Sequence, residues 1–383
     1  MPENLNILQV ARVNAVMQGL VDVRTLPQEL VWNRRVPDTP ATDAEILARW
    51  TQRILIADLI ADDQKAVAYS SGKLSYESYT IPNLKHGSIL TQEQINQLNA
   101  LRAGGMLQGD GADYFNNTER ATINALRLGV EQRKEALKLA MLLDGFSYDR
   151  LGIKMSGVTW GMPTDLKVTL TGGDTWDNPT TAKVVTQIQT LLRRARVRYG
   201  IYFDRLSMSL TAFNLLIGTD EFALKAKSIP LLSLVGGLQV LSIQNTEAML
   251  PIAASVLGVR EIEIYEARYW SQEETGVLTS APYLPINKVL FTASGNDGNA
   301  MAYDFANCIV TESIVSQVAQ TGMIGNFDSA VRGPVAYATA EHNPPQIAYW
   351  GVARGLPRKK LLQSSAVMTV GTFTDDIPTT DPF

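Results

Sequence analysis

The sequence predicts an α+β protein built around one long helix, and three observations carry that prediction. Residues 116–145 repeat apolar side chains at helical spacing without a break. Residues 64–81 and 261–292 carry aromatic, β-branched or alternating residues around turn signals, the pattern of paired strands. The segment from Gly333 to Phe373 is strand-like again, punctuated by Gly and Pro. At 383 residues the chain exceeds one simple core and suggests two or three units. Its 45% hydrophobic and 19% charged content is that of an ordinary folded protein.

Residues 1–50 read as an arm. Prolines at positions 27, 37 and 40 interrupt a short amphipathic stretch and the sequence VWNRRVPDTPATDAEILARW, which could not bury a core alone. From Gln64 to Ile81, strands at Ala66–Tyr69 and Lys73–Ile81 flank Ser70-Ser71-Gly72, a long hairpin. Neither of its faces is strongly apolar, so it needs another surface, and in an oligomer a neighbour could supply it. The long helix is expected to start at Asn116, with Glu119 completing a capping box, and to stop at Gly145. Ile123, Leu126, Val130, Leu137 and Ala140/Met141 share one face, on a rod of roughly 40 Å. A second helix is expected from Asp177 or Asn178 as cap, with Pro179 in its first position and Val184, Ile188, Leu191 and Ala195 as its buried stripe. A strand and helix follow in RLSMSLTAFNLLIG, with Ser209 as cap, then a helix near Thr246 to Leu257. Between Glu261 and Asn296 a strand alternates Ile262, Ile264 and Ala267 against glutamates. It passes through a polar turn and re-enters the core at Val289–Phe291, a long hairpin with nothing reactive in it.

The residues for catalysis are scarce. There are two histidines, His86 and His342, and one cysteine, Cys308, which lies in apolar sequence and reads as a packed small side chain. One cysteine also rules out an intrachain disulfide framework and fits a reducing compartment. No His-x-x-x-His or Cys-x-x-Cys occurs, and the aspartates of GDGADYF and DGFSYD lack calcium-loop spacing and read as turns. The glycine-rich Gly104–Gly111 is followed by no Lys-Ser/Thr and reads as a connection. Glu273-Glu274 and Asp375-Asp376 sit in turn-like or tail-like sequence. The expectation is no catalytic residue, no metal and no cofactor. A net charge of −4 argues against tight nucleic-acid binding by the whole chain. No signal peptide is expected, and the apolar run Ile229–Leu241 is too short to span a membrane. Two basic clusters, Arg193–Arg198 at a helix end and Arg354–Lys360 in a presumed loop, read either as solvated surface or as contacts to a neighbour's carboxylates or packaged nucleic acid.

Four pieces, taken in order, carry a family resemblance. They are the long helix leading through GFSYDRLGIKMSGVTW into GGDTWDNPTTAKVVTQIQTLL; the strand and helix RLSMSLTAFNLLIGTDEF; the aromatic strand, polar turn and proline-asparagine step of IYEARYW…LPINKVLFTASGN; and the closing IAYWGVARGLPRKKLLQSSAVMTVGTF. Over roughly Asn116 to Phe373 the chain resembles tailed-phage major capsid proteins of the Hong Kong 97-type fold, and more closely the lambda-like major head proteins called major capsid protein E. Residues 1 to about 60 depart from the pattern, no charged helical scaffold segment is visible, and the opening Met1 leads to the expectation that no propeptide has been lost.

The resemblance implies an N-terminal arm (1–50), an extended loop with its hairpin (51–95), a peripheral domain with the long spine helix (96–185 and 320–383) and an axial domain (186–319). It implies self-assembly into pentamers and hexamers of an icosahedral head in the virion, assembled in the host cytoplasm around double-stranded DNA that is not read by sequence. Portal, scaffold and cement or decoration proteins are its further implied partners. Tyr69, Lys73, Tyr76 and Tyr79 of the hairpin and Arg354, Arg358, Lys359 and Lys360 of the basic loop are the expected inter-subunit contacts. The alternatives are a nanocompartment shell of the same fold enclosing an enzyme, and a cytoplasmic α/β enzyme.

Overall fold

The computed structural model describes residues 29–41, 46–52, 72–78, 83–90, 110–150, 153–227, 246–272, 278–308, 334–342 and 345–374, with positions 93 and 310. A one-turn helix α1 (Val31–Arg35) leads into β1 (Asp38–Pro40). Next, β2 (Ile46–Gln52) and β3 (Gly72–Ser78) form an antiparallel ribbon that pairs with no other described strand. The strand at Lys73 has Ile46–Gln52 as its described partner, from sequence read as arm and loop border; the other strand of the expected hairpin, Ala66–Tyr69, lies outside the described residues. In that register Ile46, Ala48 and Trp50 stand opposite Ser78, Tyr76 and Leu74.

After β4 (Asn83–Leu90) comes the spine helix α2 (Asp110–Leu143), 34 residues and about 51 Å long. It starts six residues ahead of Asn116, so the expected capping box lies inside it and GDGADYF is helix rather than turn. At the other end Asp144, not Gly145, takes the left-handed conformation, at φ 57°. The Asp144 N–H donates to Met141 O (3.2 Å) and the Gly145 N–H to Ala140 O (3.1 Å), closing a Schellman motif. The expected apolar face is buried at Leu126, Val130, Leu137 and Met141, but so are Glu131, Lys134, Glu135 and Lys138 on the polar side.

A short hairpin, β5 (Phe146–Arg150) with β6 (Ile153–Val158), precedes β7 (Lys167–Thr169) and α3 (Val184–Tyr199). Helix α3 begins five residues after Pro179. Asn178 turns back to bond Gly172 O (3.2 Å) and Thr175 Oγ1 (2.9 Å), so it is not available as a cap. The expected stripe Val184, Ile188, Leu191, Ala195 is buried, and Gly200 ends the helix at φ 69°. Then follow β8 (Arg205–Met208), α4 (Leu210–Ile217), α5 (Asp220–Lys227) and α6 (Thr246–Leu257). Ser209 caps α4 as expected, accepting from the Ala212 N–H at 3.1 Å. Glu221 of α5 caps α3 from a distance, through the Val185 N–H (2.9 Å) and the Thr186 hydroxyl (2.5 Å).

The stretch 261–296 holds four strands: β9 (Glu261–Ile264), β10 (Arg268–Gln272), β11 (Leu278–Pro282) and β12 (Lys288–Thr292). Only β10 and β11 pair as a hairpin. Both β9 and β12 return to the core but are separated there by β8, which corrects the reading of one long hairpin. The chain closes with β13 (Tyr303–Asn307), β14 (Val335–His342), the 15-residue β15 (Pro345–Lys359) and β16 (Ser365–Thr369).

Two five-stranded sheets result. One runs β7-β16-β12-β8-β9; the other runs β1-β13-β15-β14, with β4 also on β15. The first sheet has unlike faces. Leu206, Met208, Val289, Phe291, Ala366 and Met368 point to one side and join the stripe of α3 in the main core. The other side carries Lys167, Arg205, Glu263, Lys288 and Ser365, with Leu290 and Val367 among them, and meets the spine helix where Ser365 Oγ donates to Leu142 O (2.7 Å). This sheet takes β7 and β16 from the range expected to be peripheral and β8, β9 and β12 from the range expected to be axial, so the two ranges share a core.

Candidate assembly site on the spine helix

The segment 29–41 is held by charges buried on α2. Glu135 accepts the Trp32 N–H (2.9 Å) and the Asn33 N–H (2.6 Å), which are free donors at the start of α1. The Tyr265 hydroxyl gives the same carboxylate a third bond at 2.8 Å. One turn on, Lys138 donates to Val36 O (2.9 Å), at the other end of α1, and to Asp38 Oδ1 (2.8 Å). Lys134 pairs with Asp38 as well, and both lysines lie over the Phe305 ring, at 5.3 and 5.5 Å. Residues 135 and 138 thus grip the two ends of a five-residue helix, an i, i+3 spacing that matches its length. Trp32 and Val36 beneath are fully buried.

Burial pushes Glu135 above the usual carboxylate range, because its hydrogen bonds only partly offset the loss of water. Burial likewise pushes Lys138 down, partly countered by Asp38. Asp38 ends below its ordinary value because the two ammoniums outweigh its own burial. The sequence signal for this clasp was the charge pattern EQRKEALK, which has the look of a solvated helix face; nothing local says that residues a hundred positions away cover it.

The basic cluster at 354–360 is not a loop. It forms the end of β15 and the turn beyond, because β13 pairs with it from Gly355 to Lys359. Arg358 donates to buried Asp304 through Nε (2.9 Å), Lys360 reaches the same carboxylate at 3.0 Å, and Thr39 of the arm donates to it too. These partners hold Asp304 below the usual carboxylate range against its burial. Lys359 is completely buried and donates to Ser365 Oγ at 2.8 Å. Burial pushes its ammonium down to about 7, only partly opposed by Asp144. Lys359 is therefore enclosed within its own chain, which corrects its reading as part of a solvated loop, while Arg354, Arg358 and Lys360 are half-buried. Of the hairpin residues, Lys73 stands opposite Thr51 and Tyr76 opposite Ala48 in the β2–β3 ribbon. Tyr69 and Tyr79 lie outside the described residues.

At the end of α3, Arg198 pairs with Asp165 (2.8 Å), Arg194 donates to the Asp165 carbonyl (2.9 Å) and Arg196 lies over the Tyr202 ring (4.4 Å). Cys308 is buried beside Ala41 and Ala306, the packing role expected of it. Among the described residues no group of three His, Cys, Asp or Glu could hold a metal ion, and no helix is long and apolar enough to cross a membrane.

Residues 29–320 match the sequence profile of phage major capsid protein E. The chain belongs to that family. The capsid protein also resembles solved structures at low identity. One is the putative capsid protein of a prophage of E. coli CFT073, at 12% identity and a TM-score of 0.57, covering 95% of this chain and 99% of that one. Another is a phage-related protein from Bordetella bronchiseptica RB50, at 11% identity and a TM-score of 0.50, covering 93% and 95%. No curated protein matches the sequence. The fold is the expected Hong Kong 97-type capsid fold, and the chain is a phage major capsid protein, a subunit of a virion shell. The clasp joins arm, spine helix and both sheets within that subunit.

Proposed function

We propose that this capsid protein acts without chemistry of its own, as the self-assembling subunit of the pentamers and hexamers of an icosahedral head. The head belongs to a tailed phage and encloses double-stranded DNA by confinement. The carrying observation is the family match over residues 29–320. The β2–β3 ribbon supports it: a two-stranded sheet is marginal alone, and this one joins no other described sheet, so a neighbouring subunit is the surface it lacks. Lys73 and Tyr76, with Tyr69 and Tyr79 beyond the described strand, are the contacts assigned to that ribbon, and half-buried Arg354, Arg358 and Lys360 are those kept from the basic cluster, without enclosed Lys359. Contacts of this kind between unlike surfaces close into rings, and many weak ones sum to a stable shell.

In the same reading residues 1–50 form the arm, 51–95 the extended loop, 96–185 with 320–383 the peripheral domain and 186–319 the axial domain. Assembly takes place in the host cytoplasm with a scaffold, a portal and, on the outside, a decoration protein. The test is negative-stain electron microscopy of the purified chain, with absorbance of the same fraction at 260 and 280 nm. Uniform closed shells with nucleic acid inside are expected. Closed shells filled with protein instead would point to a nanocompartment, and a species that stays small under crowding and with scaffold added would overturn the shell reading.

A further inference from the structure

Helix α3 buries one face and leaves the opposite face bare. Its buried stripe is Val184, Ile188, Leu191 and Ala195. At about 100° per residue, Arg193, Arg196 and Val197 stand on the other side, and all three are exposed. Arg194 and Arg198 turn to Asp165 instead and find partners there. Arg193 and Arg196 make no hydrogen bond or ion pair among the described residues; Arg196 only lies over the Tyr202 ring. Beside these two guanidiniums Val197 is 77% exposed and Tyr202 62%. Solvated arginines need no partner, but an open valine and tyrosine between them are apolar surface left in water.

The other end of α3 carries the complement. The segment ahead of it, residues 171–183, exposes Asp174 and Asp177. The Asp220 N–H donates to Pro179 O (3.0 Å), which sets the start of α5 against that segment and adds a third exposed carboxylate. None of these three side chains has a hydrogen bond or ion pair among the described residues. Leu224, one turn on from Asp220 and on its side of α5, is 67% exposed. Glu221 and Lys225 pair with each other. Lys183 and Lys227 are exposed as well, so three carboxylates against two lysines leave the region acidic. A helix of 16 residues, about 24 Å long, holds the two regions apart within one chain. Each has what the other lacks, unpaired charge of one sign around an uncovered apolar side chain.

We infer that the face of Arg193, Arg196 and Val197 on one copy docks on the face of Asp174, Asp177, Asp220 and Leu224 on the next. The partner is a second copy of this chain, joined head to tail. Because the two faces differ, each docked copy still offers one face to a further copy, which is how rings are built. Packaged nucleic acid would satisfy the two arginines, but it has no use for the carboxylates and Leu224 at the far end; a second copy uses both ends. The inference rests on the ring-forming reading above and assigns it a pair of surfaces.

The first measurement mixes two full-length variants, Val197→Cys and Leu224→Cys, under mild oxidation, with the native Cys308 buried. The expected product is a disulfide-linked dimer of one of each, several-fold above either variant alone. The second measurement reverses charge: Arg193→Glu/Arg196→Glu in one chain and Asp174→Lys/Asp220→Lys in another. Each alone should assemble roughly tenfold less than wild type or worse, by sedimentation and electron microscopy, because like charges then face each other. Its thermal unfolding should stay that of wild type, since the altered side chains are exposed and unpaired. An equal mixture of the two should recover most of the loss, because every reversed face then meets its complement on the other variant. Val197→Cys alone dimerising as well as the mixture would overturn the inference in favour of a two-fold contact. Arginine-reversed shells that assemble normally but lose their nucleic acid would overturn it in favour of a nucleic-acid contact. Wild-type shells with neither the mixed disulfide nor the charge effect would overturn the docking and leave the shell reading standing. A mixed disulfide from a chain that never forms shells would support the docking and overturn the shell; a chain that forms neither overturns both.

Discussion

Replacing Glu135 by alanine is the perturbation that reports most directly on the clasp. It strips the acceptor from three donors at once: the N–H groups of Trp32 and Asn33 and the hydroxyl of Tyr265. A buried donor left unmade costs about 1–3 kcal/mol. The three are not equal. Trp32 is fully buried and Tyr265 nearly so, whereas Asn33 is only partly covered and can recruit water. Relief of the buried carboxylate's own desolvation, visible in its raised pKa, offsets part of the loss. The net expectation is about 3 kcal/mol, or roughly a hundredfold in the docking equilibrium of the arm. Trypsin reads this at Arg34 and Arg35, inside the gripped helix. Where opening is fast relative to cleavage, the rate follows the open population and should rise by about that factor. Tyr265→Phe removes one donor and leaves the other two, so its effect should stay near 1 kcal/mol. Cleavage of Glu135→Ala within about threefold of wild type, with an unchanged denaturant midpoint, would refute the clasp.

Three further outcomes are expected. Because burial holds Lys359 down to about 7, the unfolded chain binds more protons than the native one between about pH 7 and 10.5; this group alone makes stability rise with pH across that window. Lys359→Met should therefore be more stable than wild type at pH 7, by about 2–4 kcal/mol, with the gap closing towards pH 10 in denaturant titrations. Gly355→Ala puts a Cβ 2.6 Å from the Ala306 carbonyl oxygen and into the Phe305 ring, so it should cost about 3 kcal/mol or abolish soluble expression. Ser209→Ala loses the cap of α4 and the bond from Ser209 Oγ to Ile286 O (2.7 Å), and thermal unfolding should show a loss of about 1–2 kcal/mol.

Local chemistry was legible in the sequence where it decides the outcome. Ser209 as cap, the helix at Thr246–Leu257, the stripe of α3 and the strand at Val289–Phe291 all follow from nearest-neighbour patterns. The start of α3 was misplaced and α1 was not foreseen, because a distant side chain takes the N–H groups of each. Glu221 reaches α3 from 36 residues away in sequence and Glu135 reaches α1 from 103, and neither leaves a mark beside the helix it serves. The same holds for strand partners: β3 pairs with β2 from the sequence read as arm, and β9 and β12 are divided by β8. The charged residues of α2 and of 358–360 looked like surface because charge predicts exposure unless partners are known. Here the partners, Asp38, Asp304 and Ser365, come from three other parts of the chain.

The pairing of β1 with β13 carries a consequence for synthesis. Asp38 lies beside Phe305, and Thr39 bonds the side chain of Asp304. About 267 residues separate the paired positions, and at 5–20 residues per second the ribosome needs roughly 13–50 s to make them. For that time β1 has no strand beside it, although it leaves the ribosome early. The helix α1 can meet α2 about a hundred residues on, but the edge that follows it is locked in late, and it stays open through most of translation on a polysome crowded with identical nascent chains.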